Sequence, residues 1–62
     1  MDNKSKFLQI YANLPLKVRN EEIIAVIDGE PATWNSAKIE IENDTLKGTR
    51  ILNQLIKLEI LK

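Results

Sequence analysis

The chain has 62 residues and a formal net charge of zero, with nine lysines and arginines against nine aspartates and glutamates. A chain this short forms one domain at most, which we place over residues 1–62 with residues 1–5 frayed, and it buries only a small core. It contains no cysteine and no histidine, so disulfides are excluded and a zinc or haem site lacks its usual ligands. We therefore expect no cofactor and no metal.

The longest apolar run extends from Ile23 to Ile27 and is far too short to span a bilayer. The N-terminus shows no signal-peptide pattern. These features predict a cytoplasmic protein without a membrane partner.

The charges are segregated along the chain. Residues 1–19 and 45–62 each carry four cationic side chains against one carboxylate, whereas residues 20–44 carry seven carboxylates against one lysine. The zero total is unfavourable for nucleic-acid binding, since phosphate neutralisation supplies most of the non-specific affinity. Two copies could pair a basic end with an acidic middle, so the segregation favours a homodimer or another protein partner.

The first segment has apolar residues at i, i+3, i+4 and i+7, namely Phe7, Ile10, Tyr11 and Leu14. This spacing predicts a helix over 4–13, with Asn3 or Ser5 as its cap. Pro15 prevents the helix from continuing undisturbed.

The next segment is ambiguous between helix and strand. Glu21 and Glu22 follow Asn20 like a capped first turn, which favours a helix over 15–28. The run from Ile23 to Ile27 is also β-prone and could form a strand buried on both faces.

Asp28-Gly29-Glu30-Pro31 predicts a turn. Thr33 is then predicted to cap a helix over 33–42, with Trp34, Ala37 and Ile41 facing inward. The alternative is a strand from Lys38 to Glu42 paired with 22–27, which would give an α-β-β-α hairpin domain.

Residues 43–45 predict a turn, and Thr45 is expected to cap a last helix over 45–59. Gly48 in its first turn costs about 1 kcal/mol relative to alanine, so it is expected to mark a close contact. A short strand pair near Ala32 and Ile60 completes the predicted mainly α domain of three to four helices. The predicted core is Phe7, Tyr11, Ile23, Ile27, Trp34, Ala37, Ile41, Leu52, Leu55 and Leu58.

No catalytic constellation is evident. Ser5 and Ser36 lack a recognisable base, and no glycine spacing matches a phosphate-binding loop, so we expect no enzyme and no small-molecule substrate. Glu40, Glu42 and Asp44 could gather Mg²⁺ only on an extended segment, and a solvated acidic face is the favoured interpretation.

The last helix carries a polar stripe. At 100° per residue its members fall within roughly 80° of one another, with Asn53 at the border. The stripe consists of Lys47, Arg50, Gln54 and Lys57. Arginine and lysine suit guanine edges and phosphates, and asparagine and glutamine suit adenine, so the stripe is a candidate recognition surface for duplex DNA. Lys17 or Arg19 would contact phosphate. The competing interpretation is an ordinary amphipathic helix with a soluble face.

Residues 20–61 resemble a winged helix-turn-helix domain. The resemblance is carried by the turn and helix opening at 28–34, by the turn at 43–45, and by Leu52, Leu55 and Leu58 running into Ile60-Leu61. Glu59 departs from the family's usual glycine, and only Lys62 follows Leu61, so a wing hairpin is not expected. The resemblance implies a helix-turn-helix-like fold and sequence-specific DNA binding, usually as a dimer. The alternative function is a protein-interaction or dimerisation module without catalytic activity.

Overall fold

Four helices and one β-hairpin are formed in residues 2–61, the part of the chain that the computed structural model describes. In chain order the elements are α1 (Asn3–Ala12), α2 (Leu16–Glu21), β1 (Ile23–Ile27), β2 (Glu30–Thr33), α3 (Trp34–Glu42) and α4 (Leu46–Lys57). The predicted mainly α domain with a two-stranded pair is confirmed.

Helix α1 begins two residues from the N-terminus. The Asp2 carboxylate accepts a hydrogen bond of 2.7 Å from the Ser5 backbone N–H, so Asp2 is the cap rather than Asn3 or Ser5. Residues 3–5, which we expected to be frayed, form the first turn of the helix.

The helix predicted over 15–28 is wrong beyond Glu21, because the chain continues as strand β1. Asp28 and Gly29 both have positive φ values, 52° and 81°, as a two-residue type I′ hairpin turn requires. This turn brings β2 back antiparallel to β1. The strand alternative for Lys38–Glu42 is also wrong, since these residues are helical, and Ala32 pairs with Ala25 rather than near Ile60.

A register shift lies between Ile23 and Ala25, so Ile24 is an extra residue in the strand. Such a bulge breaks the alternation of side chains, and here both Ile24 and Ala25 are buried. Ile23 and Val26 consequently point away from the core.

Helices α3 and α4 are joined by a tight turn. Asp44 adopts φ 55°, its N–H donates to the Ile41 carbonyl, and the Thr45 N–H donates to the Glu40 carbonyl. The Thr45 hydroxyl in turn accepts from the Gly48 N–H at 3.0 Å. The predicted turn and cap are thus confirmed, and Gly48 does mark a close contact, because a Cβ there would lie 2.5 Å from the Glu40 carbonyl oxygen.

The core lies between the helices and the inner face of the hairpin. Six predicted core residues are confirmed as buried: Phe7, Ile27, Trp34, Ala37, Ile41 and Leu55. Tyr11 and Leu52 are half-buried. Ile23 and Leu58 were predicted wrongly, since they are 56% and 59% exposed. Their places are taken by side chains that the prediction omitted: Ile24, Ala25, Ala32, Ile51 and Leu61.

Helix α4 ends at Lys57, and two residues later Glu59 adopts the left-handed conformation, with φ 62°. The N–H groups of Glu59 and Ile60 donate to the carbonyls of Ile56 and Leu55, the pairing typical of a helix C-terminus that usually has glycine at this position. The reversal of the chain brings Leu61 into the core, at 2% exposure. None of the described helices is both long enough and apolar enough to cross a bilayer.

Candidate interaction surface

Helix α4 lies along the outer edge of strand β1. Arg50 Nη1 is 2.8 Å from Asp28 Oδ2, and Lys47 Nζ is 3.0 Å from Glu30 Oε2. One turn later, Gln54 Oε1 accepts from the Val26 N–H at 3.0 Å, and its amide nitrogen donates to the Val26 carbonyl at 3.4 Å.

Three of the five residues predicted to bind nucleic acid are therefore engaged within the chain. Lys47, Arg50 and Gln54 do share one side of α4, as the spacing predicted, but that side contacts the hairpin. The hydrogen bond to the Glu30 carboxylate raises the pKa of Lys47 above its ordinary 10.5. Lys57 lies on the same side one to two turns after Arg50 and Gln54, Asn53 lies at its border, and both are exposed.

Arg19, which we expected on phosphate, binds the end of helix α1. Its guanidinium donates to the Tyr11 carbonyl at 3.0 Å and to the Ala12 carbonyl at 3.1 Å. The Tyr11 carbonyl also accepts from the Leu14 N–H at 3.1 Å. Carbonyls at a helix C-terminus lack the usual donor four residues ahead, so the arginine contacts stabilise the helix end. The same guanidinium lies 4.5 Å from the centre of the Tyr11 ring. Lys17 is exposed.

The three carboxylates considered for Mg²⁺ each contact a different residue. Glu40 accepts from the Thr45 hydroxyl at 2.7 Å. The two ion pairs are Glu42 with Lys38, at 2.6 Å, and Asp44 with Lys4, at 3.1 Å. Within residues 2–61 no group of three or more His, Cys, Asp or Glu is arranged to hold a metal ion.

The outer face of the hairpin is apolar and uncovered. Ile23 is 56% exposed and Val26 is 54% exposed. Pro31 pairs with Val26 across the hairpin and is also exposed, and residues directly opposite each other in an antiparallel pair share a face. We call Ile23, Val26 and Pro31 the hairpin face.

A further apolar side chain, Leu58, is exposed at the end of helix α4. Helix α4 and β1 run antiparallel, because Arg50 contacts Asp28 and Gln54 contacts Val26. Four helical residues rise about 6 Å and two strand residues about 6.6 Å, so the two elements remain in step. Leu58 directly follows the last residue of the helix and is 59% exposed.

Both edges of the two-stranded sheet are closed to a further strand. On β1 the Gln54 amide occupies the backbone N–H and carbonyl of Val26. On β2 Pro31 has no N–H to donate, and the Thr33 N–H donates to the Ser36 hydroxyl at 2.9 Å. A partner would therefore dock on the hairpin face and not pair with an edge.

The two ends of β1 differ in charge. Glu21 and Glu22 immediately precede the strand, are exposed, and form no ion pair with any other described residue. At the far end, the carboxylates of Asp28 and Glu30 are paired with Arg50 and Lys47. Lys17 lines the same surface depression as Glu21 and Glu22, so this end carries two carboxylates against one cation, whereas at the other, neutral end two carboxylates and two cations balance.

The sequence placed Ile23 in the predicted core, Val26 only in the alternative strand, and Pro31 only in the predicted turn. One signal was available, since a strand that is apolar at every position is typical of burial on both faces. This pattern applies to residues 23–27 only if they form a strand, which the favoured helix interpretation did not assume.

Comparison of the chain with protein-family models, with curated proteins and with solved structures finds no match. Its function must therefore be inferred from its own geometry.

Proposed function

We propose that this domain is a self-association module, in which the hairpin face of one copy packs against the hairpin face of a second copy. One observation carries the proposal. The hairpin presents apolar side chains on both faces, while the helices cover only one of them. An apolar sheet face left in water is the usual mark of an interface.

Two further properties support a second copy as the occupant. A domain of this size buries a small core, and binding that occurs only in the folded state adds to its stability. The net charge is zero, so no overall repulsion opposes association of identical chains.

Sedimentation equilibrium tests the proposal directly. We expect the apparent mass to rise from 7.1 kDa towards twice that value as the concentration increases from about 10 µM to about 1 mM, a range that detects weak dimers. Val26→Lys should remain monomeric, because association would bury its unpaired charge.

Ile39→Lys is the matched control, because Ile39 is similarly exposed at 59% but lies on α3. It should dimerise like the wild type. A wild-type mass of 7.1 kDa throughout the range, or equal loss of the dimer in both variants, would refute the proposal.

DNA binding through α4 is a second proposal. The observation in its favour is that the ion pairs of Lys47 and Arg50 are exposed, and exposed pairs contribute only about 0–1 kcal/mol. Phosphate oxygens could therefore replace Glu30 and Asp28, while Asn53 and Lys57 are exposed on the same helix.

A titration with random duplex DNA, followed by backbone amide shifts at low and moderate salt, tests this second proposal. Salt-sensitive changes should cluster on residues 47–57, because phosphate contacts weaken steeply with salt. Lys57→Gln should weaken binding, whereas Lys6→Gln on α1 should not. If no shift changes at low salt, DNA binding is excluded under these conditions and self-association is unaffected.

A further inference from the structure

We infer that the two copies pack antiparallel, so that Glu21 and Glu22 of one copy lie against Lys47 and Arg50 of the other. This arrangement rests on the proposed self-association and specifies which residues of the two copies meet.

Sheets pack face to face with their strands aligned or crossed, and aligned packing of two identical hairpins leaves two symmetric arrangements. A dimer of this kind is two-fold symmetric, with the axis in the plane of the interface. If the axis runs along the strands, the start of β1 in one copy meets the start of β1 in the other. If the axis runs across the strands, the start of β1 in each copy meets the end of β1 in the other copy.

Charge distinguishes the two arrangements. Strand β1 has five residues and is about 16 Å long, so charges at its two ends act separately. With the axis along the strands, Glu21 and Glu22 of both copies would bring four carboxylates together against only the two Lys17 side chains, and this excess of like charge across an interface is unfavourable. With the axis across the strands, these carboxylates meet the neutral end instead.

The cations at the neutral end retain donors for a second carboxylate. The Arg50 guanidinium has five N–H groups, one of which lies within bonding distance of Asp28, and the Lys47 ammonium has three, one of them used by Glu30. Their side chains are 51% and 38% exposed, so a partner's carboxylate can reach them. Glu21 and Glu22 are exposed and form no ion pair with other described residues, so they need not break an existing contact.

The direction in which a double substitution changes the dissociation constant tests the antiparallel arrangement. In Glu21→Gln/Glu22→Gln the antiparallel dimer loses attraction, so its dissociation constant should rise roughly tenfold, as a few exposed ion pairs imply. The alternative arrangement would lose repulsion, and its dissociation constant should fall. Asp44→Asn, which removes a carboxylate at the α3–α4 turn, should leave the dissociation constant unchanged.

A spin label gives an independent readout that does not depend on charge. Lys17 lines a surface depression together with Glu21 and Glu22, and the chain has no cysteine of its own. A nitroxide on Lys17→Cys, mixed with isotope-labelled wild type, should broaden amide signals of the wild-type copy at 28–30 and 47–50.

The outcomes separate this inference from the proposed function. If the wild type is monomeric at every concentration, both are wrong. If it dimerises but the double glutamine variant binds more tightly, or the label broadens residues 21–23, the antiparallel arrangement is overturned and self-association stands. If Val26→Lys dimerises as well as the Ile39→Lys control, the dimer does not form through the hairpin face. The proposed function and the antiparallel arrangement are then both wrong.

Discussion

Gly48 offers the sharpest test of how α3 and α4 pack, because two effects of replacing it with alanine have opposite signs. In an unobstructed helix, Gly48→Ala would stabilise the protein by about 1 kcal/mol. In this helix, the new Cβ would lie 2.5 Å from the Glu40 oxygen, 2.7 Å from the Glu40 carbonyl carbon and 2.9 Å from the Ile41 nitrogen. All three are backbone atoms of α3, which cannot rotate aside as a side chain can.

The closest of these contacts is 0.9 Å shorter than the 3.4 Å at which ordinary contact begins, so α3 would have to move as a unit. Overpacking of this kind costs typically about 1–3 kcal/mol. Because the obstruction is backbone and Ile41 on α3 belongs to the core, we expect the upper part of that range. After the gain in helix propensity, the net loss is about 1–2 kcal/mol, which lowers the Tm by roughly 5–15 °C in a domain of this size.

Thermal unfolding followed by far-ultraviolet circular dichroism, at a concentration where the protein is monomeric, measures the change. Thr49→Ala is the control, since Thr49 is exposed in the same turn of α4 and alanine there gains helix propensity without obstruction. We expect its Tm to stay level or rise. If Gly48→Ala also raised the Tm, the close approach of the two helices would be disproved.

Three other changes follow from single contacts. Glu59→Gly should raise stability by about 1 kcal/mol, because glycine removes the left-handed strain at φ 62°; an unchanged urea midpoint would contradict this. Leu55→Ala should cost about 2–5 kcal/mol, whereas Leu58→Ala should stay within about 0.5 kcal/mol, since their exposures are 1% and 59%; equal losses in urea titrations would be inconsistent with this burial. The pKa of Lys47 is raised above 10.5 in the folded protein, so its pairing with Glu30 stabilises the fold below pH 10.5. This stabilisation is lost as the pH rises through the folded-state pKa of Lys47. A side-chain carbon titration should show the pKa returning towards 10.5 in Glu30→Gln, and no change there would refute the assignment.

The helix ends were predictable because they depend on neighbouring residues. Thr33 and Thr45 bind backbone N–H groups three residues ahead, within one turn of the chain. Gly48 was recognisable for a related reason, since a glycine in a helical turn needs a compensating cause. The α4 prediction was therefore nearly correct, although the helix ends at Lys57 and not at 59.

The hairpin was not predictable from local rules. The segment 22–27 satisfied both a helical and an extended pattern, and the choice depended on where Asp28-Gly29 would direct the chain. Once β2 pairs with it, the bulge at Ile24 decides which side chains enter the core. Ile23 was assigned to the core because a helix would place it on the same face as Ile27, whereas in the bulged strand Ile23 is exposed.

For the candidate DNA-binding residues too, the local spacing was predictable and the tertiary contacts were not. Spacing alone correctly placed Lys47, Arg50 and Gln54 on one side of α4. It could not show that Asp28, Glu30 and Val26 lie against that side, because these residues are about 20 positions away along the chain and are brought there by the hairpin.

The ion pairs within the chain change the interpretation of the charge segregation in the sequence. We expected the basic ends and the acidic middle to attract between copies. Within one chain, Lys4, Lys47 and Arg50 already pair with carboxylates of the acidic middle, so part of the segregation is satisfied internally. Glu21 and Glu22 are the adjacent carboxylates that form no ion pair with other described residues, and they lie beside the uncovered apolar face. In the proposed antiparallel dimer these two side chains lie at the interface and Asp44 does not, which is why neutralising both of them should change the affinity when neutralising Asp44 does not.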